Sequence, residues 1–359
     1  MRPAAILTVL VMGLSTLGAA QAFAQRSPDD EAAFERALEL MGDDPAGARR
    51  LIEPLADKGD AESLNFLAIL VQNDGPDWDA DPQLASELRE AALSAGSRAA
   101  ALNIAIGLLM TSDADHARAI ELLTFAEIEE QLKSVTAYPW GRAYLFGWGV
   151  ERDMAKGVAY LEAYADGRDS IDDTIVDAHF LVARAYRNGW DVPVDVDRAY
   201  RHFSIAAELG DSRAQWNLAM MLLQGAGAPK NDVEAYAWVT KSSENGYAEG
   251  MVSRAVMLAT GEGVEEDDEA AREWYFNAAT LGSAHALRGL GFMLLTGEGG
   301  DVDQEMGFAF LELAAEAGEE NAQRLLEMVL AQNTPPDRAD IDAVRERWIA
   351  EFGAPEPVN

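Results

Sequence analysis

The chain of 359 residues has no cysteine, only four histidines, and 28 basic residues against 62 acidic ones. Without cysteine there is no disulfide, no free thiol and no acceptor for an N-terminal lipid, so a lipoprotein is excluded. The formal net charge of −34 repels nucleic acid and anionic membrane surfaces, which leaves basic proteins, cations, or ligands held by shape and stacking. An acidic surface also keeps a long chain soluble. Long apolar runs are missing everywhere except at the N-terminus. There Arg2, the apolar stretch Ala4–Leu17 and the small residues around Ala22-Phe23-Ala24 read as a secretory signal over residues 1–24, cut before Gln25. Ala20-Gln21-Ala22 offers a cut two residues earlier. The run is short for a membrane span, so the mature chain is expected in the periplasm, with no membrane insertion after cleavage.

Catalytic signatures are missing as well. The histidines, His116, His179, His202 and His285, stand in unrelated surroundings, and no H-E-x-x-H, G-x-S-x-G, S-x-x-K or phosphate-cradling glycine loop occurs. The acidic loop Asp74, Asp77, Asp79, Asp81 fails as a calcium site. Counted from Asp77, Pro82 falls where the loop needs glycine and Leu88 where it needs a bidentate glutamate. No catalytic residue, cofactor or metal ligand is assigned, and the chain is expected not to be an enzyme.

Against these absences stands a period. Gly210, Gly246, Gly282 and Gly318 are 36 residues apart, and so are Gly189, Gly225, Gly261 and Gly297. A fixed step of this size marks a repeat architecture in which each unit buries its apolar face against its neighbours. In the unit Ala214–Gly246, a first helix ends at Gly225, where a left-handed turn suits glycine. Asn231 then caps the second helix, and the cap recurs as Asp195, Asn231, Asp267 and Asp303. Small residues recur on the second helix at Ala199, Ala235, Ala271 and Gly307 and on the first at Ala183, Ala219, Ala255 and Gly291, and small residues facing bulky ones such as His202, Trp238, Trp274 and Phe310 across the helix pair fill its core without voids.

Gly261-Glu262-Gly263-Val264, followed by Asp267, Ala271, Trp274-Tyr275, Ala278-Ala279 and Gly282, resembles the Sel1-like repeat, a relative of the tetratricopeptide repeat. Gly147-Trp148-Gly149-Val150 with Asp153, Lys156, Tyr160 and Gly167 repeats the pattern. The resemblance implies an all-α fold, a right-handed α/α superhelical solenoid of stacked hairpins that binds proteins or peptides, usually without catalysis. About eight repeats are expected over residues 25–333, then a capping helix over 334–353 and a frayed tail over 354–359. The third unit lacks its paired glycines, with helices expected around Ala99–Met110 and Asp115–Leu132. The wide step from Gly167 to Gly210 places an insertion at Arg168–Val176.

Once packing positions are set aside, few residues remain as candidate binding groups. Trp148 and Trp190 follow the first turn glycine where later repeats have Ala226, Glu262 and Glu298, which predicts exposed indoles. Tyr144 and Tyr186 lie four residues earlier and extend a possible aromatic ledge. The other reading folds both indoles over the Arg168–Val176 insertion. On the first helices, Arg184, Asn217, Arg254 and Arg288 are placed to recognise a carboxylate or an acidic segment. The expected function is a non-enzymatic periplasmic interaction scaffold for a protein or peptide partner in the cell envelope. By analogy with exported family members, that partner is an envelope sensor or cell-wall or exopolysaccharide machinery. The alternative is a protein that binds or acts on a glycan or peptidoglycan fragment through Trp148 and Trp190. Exported relatives linked to such ligands carry paired cysteines, which this chain lacks.

Overall fold

The computed structural model describes residues 26–75, 78–109, 115–127, 133–166, 173–332 and 334–358. The expected signal, residues 1–24, lies outside them. Local chemistry starts the helices where the sequence puts its caps. The side chains of Asp195, Asn231, Asp267 and Asp303 each accept a hydrogen bond from the backbone N–H three residues on, which satisfies amides that have no partner inside the helix. Gly225, Gly261 and Gly297 close the preceding helices in the left-handed conformation.

The chain divides after Val194 into two compact units. The first contains α1 (Pro28–Leu40), α2 (Pro45–Ala56), α3 (Ala61–Val71), α4 (Pro82–Ser94), α5 (Arg98–Leu109), α6 (His116–Glu127), α7 (Lys133–Phe146), α8 (Met154–Asp166) and α9 (Asp173–Asn188). The second contains α10 (Val196–Glu208), α11 (Ser212–Gln224), α12 (Asp232–Glu244), α13 (Ala248–Thr260), α14 (Asp268–Thr280), α15 (Ala284–Thr296), α16 (Gln304–Glu316), α17 (Glu320–Gln332) and α18 (Arg338–Phe352). Within each unit consecutive helices pack as hairpins, and each hairpin stacks on the next. The fold is an all-α helical repeat solenoid. Below, the first helix of each hairpin is its A helix and the second its B helix.

The small-against-bulky pattern fills the core. Ala199, Ala235 and Ala271 are fully buried, as are His202 and Phe310. In the α15–α16 hairpin two glycines meet: a β-carbon on Gly291 would come within 3.0 Å of the Gly307 carbonyl. A side chain there would force the facing backbone to shift.

Three regions bear on the sequence expectation. Of the expected insertion Arg168–Val176, residues 168–172 lie outside the described residues, while 173–176 already belong to α9. In the third unit α6 is described as far as Glu127, and the rest of the expected helix, 128–132, lies outside the described residues. The tail does not fray. After α18, which packs on α16 with Trp348 against Phe276 and Phe310, Glu356 N–H donates to the Gly282 carbonyl at 2.9 Å and Val358 N–H to Ala317 at 2.8 Å. Two prolines, Pro355 and Pro357, bias this segment toward an extended form.

Candidate functional site

The two tryptophans are rooted in one backbone device. Gly147 ends α7 at φ +74° and Gly189 ends α9 at φ +71°. The next residue in each case donates its N–H five residues back: Trp148 to Ala143 at 2.9 Å and Trp190 to Ala185 at 3.1 Å. This helix-ending turn brings the residue after the glycine over the last turn of the helix. The group it covers is an arginine in both repeats. The Arg142 guanidinium lies 5.1 Å from the Trp148 ring centroid, and that of Arg184 lies 4.9 Å from Trp190. One turn earlier an aromatic ring meets the same arginine, Tyr138 at 5.8 Å and Phe180 at 5.6 Å.

The expectation of exposed indoles is therefore corrected: both are half-buried. Trp148 stacks near-parallel with His116 at 5.5 Å and with Phe146 at 4.8 Å. The first of these contacts runs to the preceding hairpin. Arg142 donates to the Tyr138 hydroxyl at 3.0 Å and pairs with Asp177 at 3.3 Å. Tyr138 in turn donates to Asp177. Burial first, and then the Asp177 charge, hold the Tyr138 hydroxyl well above its ordinary pKa, so it stays a donor.

Tyr144 points to a different assembly, stacked with Trp140 at 5.7 Å and with Tyr160 at 5.9 Å, and the Lys156 ammonium lies 3.8 Å from its centroid. Tyr186 is buried and donates its hydroxyl to Glu162 at 2.8 Å. Beside Tyr144 an open cleft of about 600 Å³ is lined by Val150, Glu151, Arg152, Asp153 and Asp191. Asp191 sits at φ +52°, two residues after the turn glycine, a place held elsewhere by Gly149, Gly227, Gly263 and Gly299. A β-carbon at Gly263 or Gly299 would overlap the carbonyl of Asp232 or Asp268 at the start of the previous repeat's B helix. These seams close only with glycine, and the cleft lies where aspartate replaces it.

The four A-helix candidates do not share one lining. Arg184 is exposed beside Trp190. Asn217 is buried and donates to the Arg213 carbonyl at 2.8 Å. Arg254 lies 4.2 Å from the Trp274 centroid, donates to Ser243 and pairs with Glu244 at 3.5 Å. Arg288 pairs with the buried carboxylate of Glu319 at 3.4 Å.

Among the side chains that the second unit exposes on its A helices is an apolar row. Val256, Phe292 and Met328 are 40%, 39% and 58% exposed, 36 residues apart, and half-buried Met220 continues their register. This is the position that Arg184 holds in α9, and here Ala226, Glu262 and Glu298 replace the covering tryptophan. Acidic residues are fewer on the A helices of this unit: none in α11 and α15, one in α13 and two in α17, against three each in α12, α14 and α16. Sequence reading missed His116, Arg142, Phe146 and the exposed apolar row. The Arg142–Trp148 and Arg184–Trp190 pairs share one spacing and were visible as a repeated pattern, but the row looks like core in a helical sequence. Among the described residues no group of three His, Asp or Glu side chains is placed to hold a metal ion.

The Sel1 repeat model matches residues 137–168, 176–211, 212–247, 248–283 and 284–319. The chain belongs to the Sel1-like repeat family. Among solved structures it is similar to a Sel1 repeat protein of Oxalobacter formigenes at 24% identity and a TM-score of 0.57, over 88% of this chain and 90% of that one. It also matches a protective antigen of uropathogenic Escherichia coli displaying an SLR fold, at 18% identity and TM-score 0.41, over 90% and 85% of the two chains. A Sel1 repeat protein of Klebsiella pneumoniae is 23% identical with TM-score 0.39, over 57% and 97%. The first of these likenesses shows a common fold. No curated protein matches the sequence.

Proposed function

We propose that the chain is a non-enzymatic interaction scaffold of the cell envelope and that the A-helix face of its second unit holds a segment of another protein. The observation that carries this reading is the exposed row Val256, Phe292 and Met328, one residue per repeat at a constant step, continued by half-buried Met220. Apolar side chains left in water at a fixed register cost solubility unless something covers them. The constant step favours a partner segment that is apolar along one side. The periplasmic setting rests on the N-terminal signal pattern, and the choice of an envelope sensor or wall-building machinery as partner rests on analogy.

Site-specific photo-cross-linking in cells tests the reading. Photoreactive residues at Val256 and Phe292 should capture one and the same protein, and a photoreactive residue at Glu273 on α14 should not. Capture from all three positions alike, or from none, would reject it. The glycan alternative is weaker because the Trp148 ring is already met by His116, Phe146 and Arg142. A muropeptide titration that quenches tryptophan fluorescence, and does so only while Trp190 is present, would restore it.

A further inference from the structure

We infer that the turns joining each B helix to the next A helix in the second unit form a docking ledge for an extended, proline-alternating segment, separate from the A-helix face, and that the chain's own tail occupies its last two steps.

The tail shows how the ledge is used. In Ala354-Pro355-Glu356-Pro357-Val358 the prolines have no N–H, so donors remain only on alternate residues. Two of these donors reach the ledge: Glu356 to the Gly282 carbonyl and Val358 to that of Ala317. The segment lies directly over the turns, since a β-carbon on Gly282 would be 3.4 Å from the Glu356 Cγ and one on Gly318 would be 3.7 Å from the Val358 carbonyl oxygen. The chain advances two residues per repeat.

The same steps continue without an occupant. Gly210 and Gly246 have the left-handed backbone of Gly282 and Gly318, at φ +99° and +81° beside +86° and +92°. A β-carbon on either would meet nothing within 4 Å. Among the described residues no backbone hydrogen bond reaches the carbonyls of Leu209, Gly210, Asn245 or Gly246. Glycine is needed here for the turn, and it also leaves each step bare of side chains, so recognition falls to the main chain. Exposed Glu208 and Glu244 end the helices that lead into the open steps. A segment with lysine or arginine between its prolines therefore fits better than the tail's own glutamate.

The test is a nuclear magnetic resonance titration of the isotope-labelled full chain with the peptide acetyl-Ala-Pro-Lys-Pro-Val-amide. Shifts should appear at residues 209–211 and 245–247, and acetyl-Ala-Ala-Lys-Ala-Val-amide should bind more weakly. The double variant Glu356→Pro, Val358→Pro removes both tail donors and leaves the helices intact. In that variant the shifts should spread to 281–283 and 317–319, and a peptide of twice the length should bind roughly tenfold tighter than to the wild type, as one or two regained backbone hydrogen bonds would give. No shift at the open steps, equal binding of the alanine peptide, or shifts confined to Met220, Val256 and Phe292 would overturn the inference. The last outcome would leave the A-helix reading standing, and loss of cross-linking from Phe292 would leave the ledge standing.

Discussion

Arg142 and Trp148 stand 5.1 Å apart across a helix end, and Arg184 and Trp190 repeat the relation at 4.9 Å. The helix-ending glycine turn produces both, by folding the next residue back over the side chain of the last full turn. In α7 and α9 that residue is tryptophan over arginine. In α11, α13 and α15 it is alanine or glutamate, and the side chain beneath is Met220, Val256 or Phe292. One backbone device thus sets an indole beside a cation in the first unit and leaves an apolar row exposed in the second.

Replacing Trp148 or Trp190 by glutamate, the residue of later repeats, should destabilise the first unit by about 1–3 kcal/mol each, through lost ring packing and lost attraction between arginine and indole. Denaturant unfolding would measure it. If stability is unchanged, the two indoles are free for a ligand and the packing account fails.

Asp191→Gly should stabilise the chain by roughly 1 kcal/mol, because a side chain in the left-handed region is strained and glycine is not. Gly263→Ala should destabilise it by about 2 kcal/mol or more, from the same backbone region plus the clash with the Asp232 carbonyl. The two melting temperatures should move in opposite directions. A shift of the same sign in both would refute the seam argument.

Arg26 grips Asp60 with two hydrogen bonds, at 2.9 and 2.7 Å, and its guanidinium lies 3.8 Å from the Phe34 centroid. Burial, the largest single influence on Asp60, pushes its pKa up, but Arg26 and the Ser63 N–H outweigh it and the net direction is down. The folded pKa thus lies below the unfolded one, so the stabilisation is complete above an ordinary carboxylate pKa of about 3.9 and is lost as pH falls through the folded value. Asp60→Asn should be less stable than wild type at neutral pH, and the difference should shrink on acidification below about pH 4. A gap that stays constant to pH 2 would show that the ion pair is not its source.

Trp348 is buried against Phe276, Phe310 and Phe352. Trp348→Ala should cost about 3–5 kcal/mol and raise hydrogen exchange in α16 and α18 first. Protection lost evenly over both units would mean that α18 does not act locally.

Export supplies a separate check. Intact mass of the chain recovered from the periplasm should correspond to a start at Gln25 or, for the alternative cut, at Phe23. A full-length mass beginning at Met1 would refute the signal reading, and the folded part would still begin by Arg26, already anchored to Asp60.

Much of the architecture was legible because its determinants are local. A left-handed glycine, an aspartate cap and a small residue opposite a ring act within a few residues of themselves, and they recur every 36 residues. The site was less legible. Trp148 was read as exposed from its turn position alone, but His116, 32 residues earlier, is what covers it. Asn217, assigned to a binding face, is buried under its own repeat. The tail's sequence predicts fraying, but the N–H groups of Glu356 and Val358, between and after its prolines, pair it with turns 74 and 41 residues away along the chain.

By itself the sequence determined the period, the helix ends, the family and the absence of cysteine chemistry, since each depends on residue type and near neighbours. Tertiary structure alone decided which side chains face water. Exposure in a stacked repeat is set by the adjacent hairpin and by what lies across the turn, so identical registers half-bury arginine against tryptophan in α7 and leave Phe292 exposed in α15.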